Sequence, residues 1–173
     1  MKTYLGVKLV NAEPMTLGDY NEYRGWTIPA NEDPKREGYV VHYADGYVSW
    51  CPKESFEEAN REVTGLSFGH ALEAMKMGKA VTRAGWNGKG MFLFIRPGDR
   101  LPVSMIPGIK SLPQVMKDWV QKWTGGDTKF AGGADISLTF TPYICMKAAN
   151  SEIVNGWLAS QTDMLSDDWM IVE

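Results

Sequence analysis

The run Met91-Phe92-Leu93-Phe94-Ile95 constrains this chain more than any other feature. Five consecutive apolar residues cannot alternate between core and solvent, so they predict a strand buried on both faces. Glycine-rich sequence, Gly85-Trp86-Asn87-Gly88-Lys89-Gly90, precedes the run, and Pro97-Gly98 stops it. Neighbouring strands are predicted at 80–83, at 136–140 where Ile136, Leu138 and Phe140 alternate with polar residues, at 143–147 and at 169–172. A helix precedes them: Ser67 can cap it, Phe68, Ala71, Leu72 and Met75 recur at helical spacing, and Gly78 ends it. A second helix is predicted inside the long segment 97–133, with Ser111 and Gln114 as a capping box and Leu112, Val115, Met116, Trp119, Val120 and Trp123 as one stripe for a core or a subunit interface. The pattern is α+β, a mostly antiparallel sheet with short packed helices.

Charge divides the chain. Residues 1–64 hold seven Lys and Arg against eleven Asp and Glu, a balance of -4, while the remainder carries +1. A boundary near 63–65 follows, with a small β-rich module at 1–64 and a larger domain at 66–173. In the first module, 4–10 reads as a strand and 13–37 as an ordered loop with three prolines. Residues 38–43 and 47–50 flank Ala44-Asp45-Gly46, a hairpin signal, and Pro52 opens a short acidic helix to about Asn60. A core of about 60 residues is marginal, so this module is expected to lean on the rest.

With 44% hydrophobic and 23% charged residues the chain is globular, and no run approaches the roughly 18 apolar residues that span a bilayer. The first 15 residues do not read as a secretory signal, so the cytoplasm is expected, with no membrane partner. A net charge of -3 argues against a sequence-independent grip on DNA or RNA. Cys51 and Cys145 are far apart and read as reduced thiols, and Cys145 as a buried small hydrophobe. His42 is expected to face solvent, and His70 to have a structural or surface role. Asp163, Asp167 and Asp168 match no EF-hand and are better read as a polar turn with a helix-capping Asp than as a metal site. No motif pairs a base with a nucleophile, no dinucleotide fingerprint or P-loop occurs, and an enzyme is the weaker hypothesis.

Binding chemistry is better represented. The segment 85–90 places an indole, an amide and an ammonium among glycines whose backbone N–H groups are approachable. Trp86 could stack on a nucleobase, an interaction worth about 1–3 kcal/mol, with Lys89 or Arg83 on a phosphate. Equally, the segment could be an Asn-Gly turn with Trp86 packed as a lid on the core. Residues 157–163 combine Trp157 with Ser160, Gln161, Thr162 and Asp163, which could read ribose hydroxyls and base edges or form a capped turn.

Four segments, 66–76, 83–91, 142–147 and 157–169, resemble the second Thoeris anti-defence family of bacteriophages and prophages, over residues 66–173. The pair Gly-Trp-Asn-Gly-Lys-Gly and Trp-Leu-Ala-Ser-Gln-Thr-Asp-Met-Leu carries the resemblance. It implies a sponge: members bind a cyclic ADP-ribose isomer made by bacterial TIR-domain proteins, and some take up cyclic oligonucleotide signals, without hydrolysing them. It also implies a homo-oligomer, usually a tetramer, with pockets between subunits, no cofactor, and action in the cytoplasm of the infected host. Trp86 matches the family's stacking position, and Asn87, Gly88, Lys89 and 160–163 match its motifs. The segment 97–133 and the module 1–64 depart from the pattern. The readings from other classes are an enzyme degrading cyclic nucleotides and a protein-binding adaptor that uses the Trp119/Trp123 helix.

Overall fold

The computed structural model describes residues 1–3, 6–86 and 90–172. Among the described residues are five α-helices and ten strands, and the strands form three sheets, one of three strands, one of five and one of two. With antiparallel pairing throughout and helices packed on the sheets, the class is α+β, as the residue pattern predicts.

The leading sheet has the order β1-β2-β3, with β1 at Asn11–Pro14, β2 at Gly38–His42 and β3 at Val48–Pro52. β2 and β3 form the expected hairpin, with Gly46 at φ 85° in its turn and His42 exposed. The first strand lies later than 4–10: residues 6–10 are irregular, and Tyr4 and Leu5 lie outside the described residues. The expected loop at 13–37 contains a helix, α1, at Leu17–Arg24. Its signals are capping residues, not an apolar stripe. The Thr16 Oγ1 accepts the Asp19 N–H, and Gly25 closes the helix at φ 66°. Only Leu17, Tyr20 and Asn21 are buried from it, too few for a helical period to be legible. α2, at Lys53–Ala59, packs on β2 and β3.

The five-stranded sheet has the order β10-β4-β5-β8-β9. α3, Phe68–Lys76, begins at the expected Ser67 cap and packs on β4, Ala80–Arg83, on β5, Phe92–Arg96, and on the last strand, β10, Trp169–Val172. The apolar run is therefore central, but it is covered on one side only. Leu93 is fully buried beneath α3 with Ala71, Met75, Val81 and Trp169, whereas Phe92 and Phe94 on the opposite face are half-buried. An antiparallel sheet needs one covered face, and here α3 supplies it. Each fully buried aliphatic side chain of this cluster contributes about 1.5–3 kcal/mol.

Residues 99–140 build a second core. β6, Asp99–Pro102, pairs with β7, Ser137–Phe140; a 3₁₀ turn at Val103–Gly108 and α4, Gln114–Thr124, pack beside them. Two expectations fail here. Pro113, not Ser111, is the N-cap of α4, and the Gln114 amide reaches forward to Asp118 at 2.8 Å, so no capping box forms. The stripe also splits into two rows. Leu112, Met116 and Val120 join the core, while Val115, Trp119 and Trp123, one i, i+4, i+8 row, are 73%, 48% and 51% exposed. Trp119 and Trp123 stack on each other at 5.5 Å and 9°. β8, Tyr143–Lys147, returns the chain to the main sheet, and a short edge strand absent from the sequence reading, β9 at Ile153–Asn155, follows it. α5, Gln161–Met164, leads into β10.

Candidate functional site

β4 and β10 pair so that Arg83 lies opposite Trp169, which brings the loop after β4 against the turn that carries α5. The Arg83 guanidinium locks them together. Its Nε donates to Asp168 Oδ1 at 2.7 Å, its Nη2 to Asp168 Oδ2 at 3.3 Å, and its Nη1 to Asp163 Oδ1 at 2.8 Å. The side chain is 11% exposed, and a fork of this geometry between two carboxylates is stronger than a surface ion pair.

Asp163 is the hub. Its Oδ2 accepts the Ser160 N–H at 3.0 Å and the Ser160 hydroxyl at 2.6 Å, while its own N–H donates to Ser160 Oγ at 3.1 Å, completing a capping box on α5. Its Oδ1 also accepts the Trp86 indole N–H at 3.3 Å, and its backbone carbonyl accepts the Trp169 indole N–H at 2.9 Å. Burial alone would raise the Asp163 pKa, but the Ser160, Arg83 and Trp86 donors outweigh it and hold the carboxyl at about 2. Asp168 is held below its ordinary value by the Arg83 hydrogen bond, against burial, with the Gly85 N–H adding a further donor at 2.8 Å. Both carboxylates are thus ionised at neutral pH. A side chain at Gly85 would place its Cβ 2.8 Å from Asp168 Oδ2, so the close approach of this loop requires glycine.

Above this network lie three indoles. Trp86 meets Trp169 edge-on at 5.4 Å and Trp157 at 6.2 Å, and Trp157 meets Trp169 at 6.3 Å and 80°. Phe68 of α3 closes the cluster at 5.4 Å from Trp169. Trp169 is fully buried, whereas Trp86 and Trp157 are half-buried against the core cluster. Trp86 therefore packs as a lid on the core, one of the two arrangements that the sequence left open, and still presents part of its ring to solvent.

Of the residues singled out from sequence, Arg83, Trp86, Trp157, Ser160 and Asp163 come together here. Gln161 and Thr162 are exposed on the first turn of α5. Asn87, Gly88 and Lys89 lie outside the described residues. Arg83 and Asp163 spend their charge on each other and on Asp168, giving a sum of -1 over the three, so the free cation for an anionic ligand must be another residue. Lys147 at the end of β8 is a described candidate that the sequence reading passed over: its Nζ lies 3.8 Å from the point a Gly90 Cβ would occupy. Asp168, read from sequence as part of a polar turn, and Trp169, read as the start of the last strand, are brought to Arg83 by the β4/β10 register, which no local motif encodes. Two depressions, of about 440 Å³ beside α4 and about 920 Å³ beside α1, lie elsewhere and are lined by none of the tryptophan cluster.

A family model described as the Thoeris anti-defense 2-like domain matches residues 66–172, from the cap of α3 to the end of β10 and through 97–133. Over 110 residues the chain is 37% identical to a protein named Thoeris anti-defense 2 from Bacillus phage SP01, a match covering 63% of this chain and 97% of that protein. Residues 1–65 lie outside the family match.

Proposed function

The chain belongs to the Thoeris anti-defense 2-like family, and from that premise we propose that it counters the Thoeris defence of an infected bacterium by binding a TIR-derived cyclic ADP-ribose isomer and holding it uncleaved. The observation that carries this reading is the convergence of the 83–86 and 157–169 segments on Trp86 and Trp157. Both indoles are half-exposed; the Asp163 carboxylate holds Trp86, and Trp157 packs edge-on against Trp86 and Trp169. A sponge gains affinity from aromatic walls that are ordered before the ligand arrives, because little entropy is then lost on binding.

Roles divide accordingly. Trp86 and Trp157 stack on the base; Ser160, Gln161 and Thr162 offer hydroxyl and amide groups to the riboses; Asn87, Gly88 and Lys89, with Lys147, take the diphosphate. Arg83 and Asp163 act as positioning residues. The protein works in the host cytoplasm as a homo-oligomer, a tetramer in this reading, and takes related cyclic nucleotide signals by the same stacking. Leu158 and Leu165, 87% and 82% exposed beside the cluster, support a subunit contact there. A second reading, a protein-binding adaptor, draws on the exposed Val115, Trp119 and Trp123 row of α4.

Calorimetric titration with cyclic ADP-ribose isomers separates them. The expected result is saturable binding that Trp86→Ala weakens by about 5–150-fold, the equivalent of about 1–3 kcal/mol, with the fold retained. Absence of binding to every isomer, with capture of a host protein that is lost in Trp119→Ala, would select the adaptor.

A further inference from the structure

We propose that β9 is a pairing edge, where a second copy of this chain adds its own β9 antiparallel about a two-fold axis through Val154, joining two five-stranded sheets into one of ten strands. The proposal deepens the functional reading above and rests on it only for the use to which the oligomer is put.

The two edges of the main sheet are treated differently. The outer edge of β10 is sealed by the segment before α3. The Ile171 N–H donates to the Val63 carbonyl at 3.0 Å, and Leu66 and Trp169 exchange N–H···O bonds of 2.8 and 3.0 Å. β9 is exposed along its whole length, with Ile153 at 50% and Val154 at 45%. It carries no Lys, Pro or bulge of the kind that guards natural edges.

The unused hydrogen-bonding groups of β9 have a definite register. β8 and β9 pair as Cys145 with Asn155, Met146 with Val154 and Lys147 with Ile153. The Ala148 N–H donates to the Glu152 carbonyl at 2.8 Å, and the Gly156 N–H donates to the Ile144 carbonyl at 3.1 Å. In an antiparallel ladder, bonded and non-bonded pairs alternate, so Val154 bonds inward to Met146. Ile153 and Asn155 therefore turn their N–H and C=O groups outward. A two-fold axis through Val154 places Ile153 of one copy opposite Asn155 of the other, twice over, and satisfies all four outward donors and acceptors of each strand. An axis through Ile153 would reach Ser151, which sits at φ 68° outside the extended region, and one through Asn155 would run past the strand's end to Trp157.

The side chains agree with this register. The opposed pairs are Val154 with Val154, Ile153 with Asn155 and Glu152 with Gly156, so no like charges face each other. This self-complementarity is what selects a second copy over an unrelated strand. A three-residue ladder is short, and the exposed Leu158 just beyond it adds apolar surface. Because β9 leads through Gly156 to Trp157 and α5, the pairing sets two tryptophan clusters on one continuous sheet.

Sedimentation of the full chain without ligand tests this. Ile153→Pro removes an outward N–H and no ladder bond of its own sheet, so it leaves the subunit folded and is expected to halve the mass of the parent assembly. Val154→Cys is expected to form a disulfide-linked dimer on mild oxidation, while Ile153→Cys, facing Asn155, gives no more than the parent chain with its Cys51 and Cys145. The proposal is overturned if Ile153→Pro keeps the parent's mass, if Val154→Cys links no better than the parent, or if the parent is monomeric, which would assign the edge to another protein's strand. Calorimetry on the same parent keeps the two readings apart: an oligomer that binds no cyclic ADP-ribose isomer overturns the proposed function and leaves the edge pairing standing.

Discussion

Asp163→Asn removes the charge at the hub of the site while keeping its shape, and the structure sets the size of the effect. The Asp163 carboxyl, ordinarily near 3.8, titrates at about 2 in the folded chain. At about 1.36 kcal/mol per pH unit, this depression corresponds to about 2–3 kcal/mol of preference for the ionised, folded form. The side chain is 14% exposed, so solvent screens little of it. Because the folded-state value is depressed, the stabilisation is complete above the unfolded value and fades as pH falls through 3.8 towards about 2. At neutral pH the variant leaves Arg83 with Asp168 as its remaining carboxylate and weakens the acceptor for the Trp86 indole. Urea unfolding at pH 7 should therefore show a loss of about 2–3 kcal/mol, equivalent to a fall in Tm of roughly 5–10 °C for a chain of this length. The gap between parent and variant should narrow as pH is lowered to 3. A loss below about 0.5 kcal/mol at pH 7, typical of a surface substitution, would refute the reasoning, as would a gap that widens with acid.

In the leading module, a Cβ at Gly38 would overlap the Trp50 ring and the Cys51 carbonyl, so Gly38→Ala should open the β2/β3 pair and cost about 3 kcal/mol by thermal unfolding. Its effect should fall on residues 11–60 and leave amide exchange protection in β4, β5 and β8 unchanged. On α4, Val120→Ala removes a buried side chain and should cost about 2 kcal/mol, whereas Trp119→Ala and Trp123→Ala, at exposed positions, should each cost less than about 1 kcal/mol in urea titrations.

Legibility from sequence followed the range of the interactions. Ser67 before a helical apolar period, the Asp45-Gly46 turn and the apolar run at 91–95 are local signals, and α3, the β2/β3 hairpin and strand β5 lie where they point, although β5 is covered on one face and not on the expected two. α1 was hidden because its face meets little core and only its caps mark it. The two-sided apolarity of α4 read as one stripe because periodicity gives the width of an apolar surface but not which row meets the protein. At the candidate site, the tryptophans and the Ser160/Asp163 cap were visible in the motifs. The Arg83 fork was not: Asp163 and Asp168 lie 80 and 85 residues away, and only the β4/β10 register brings them together. That contact engages, beneath the indoles, the same guanidinium that the sequence offered to a phosphate.

The central claim is that the protein holds its signal molecule intact. The most direct measurement mixes the chain with a cyclic ADP-ribose isomer, removes free ligand by filtration, heat-denatures the retained complex and analyses what is released by chromatography. The account predicts release of unaltered cyclic ligand in proportion to the protein, and a marked loss of retention with Trp86→Ala. Retention of no isomer, or release of a linearised or hydrolysed product, would contradict it.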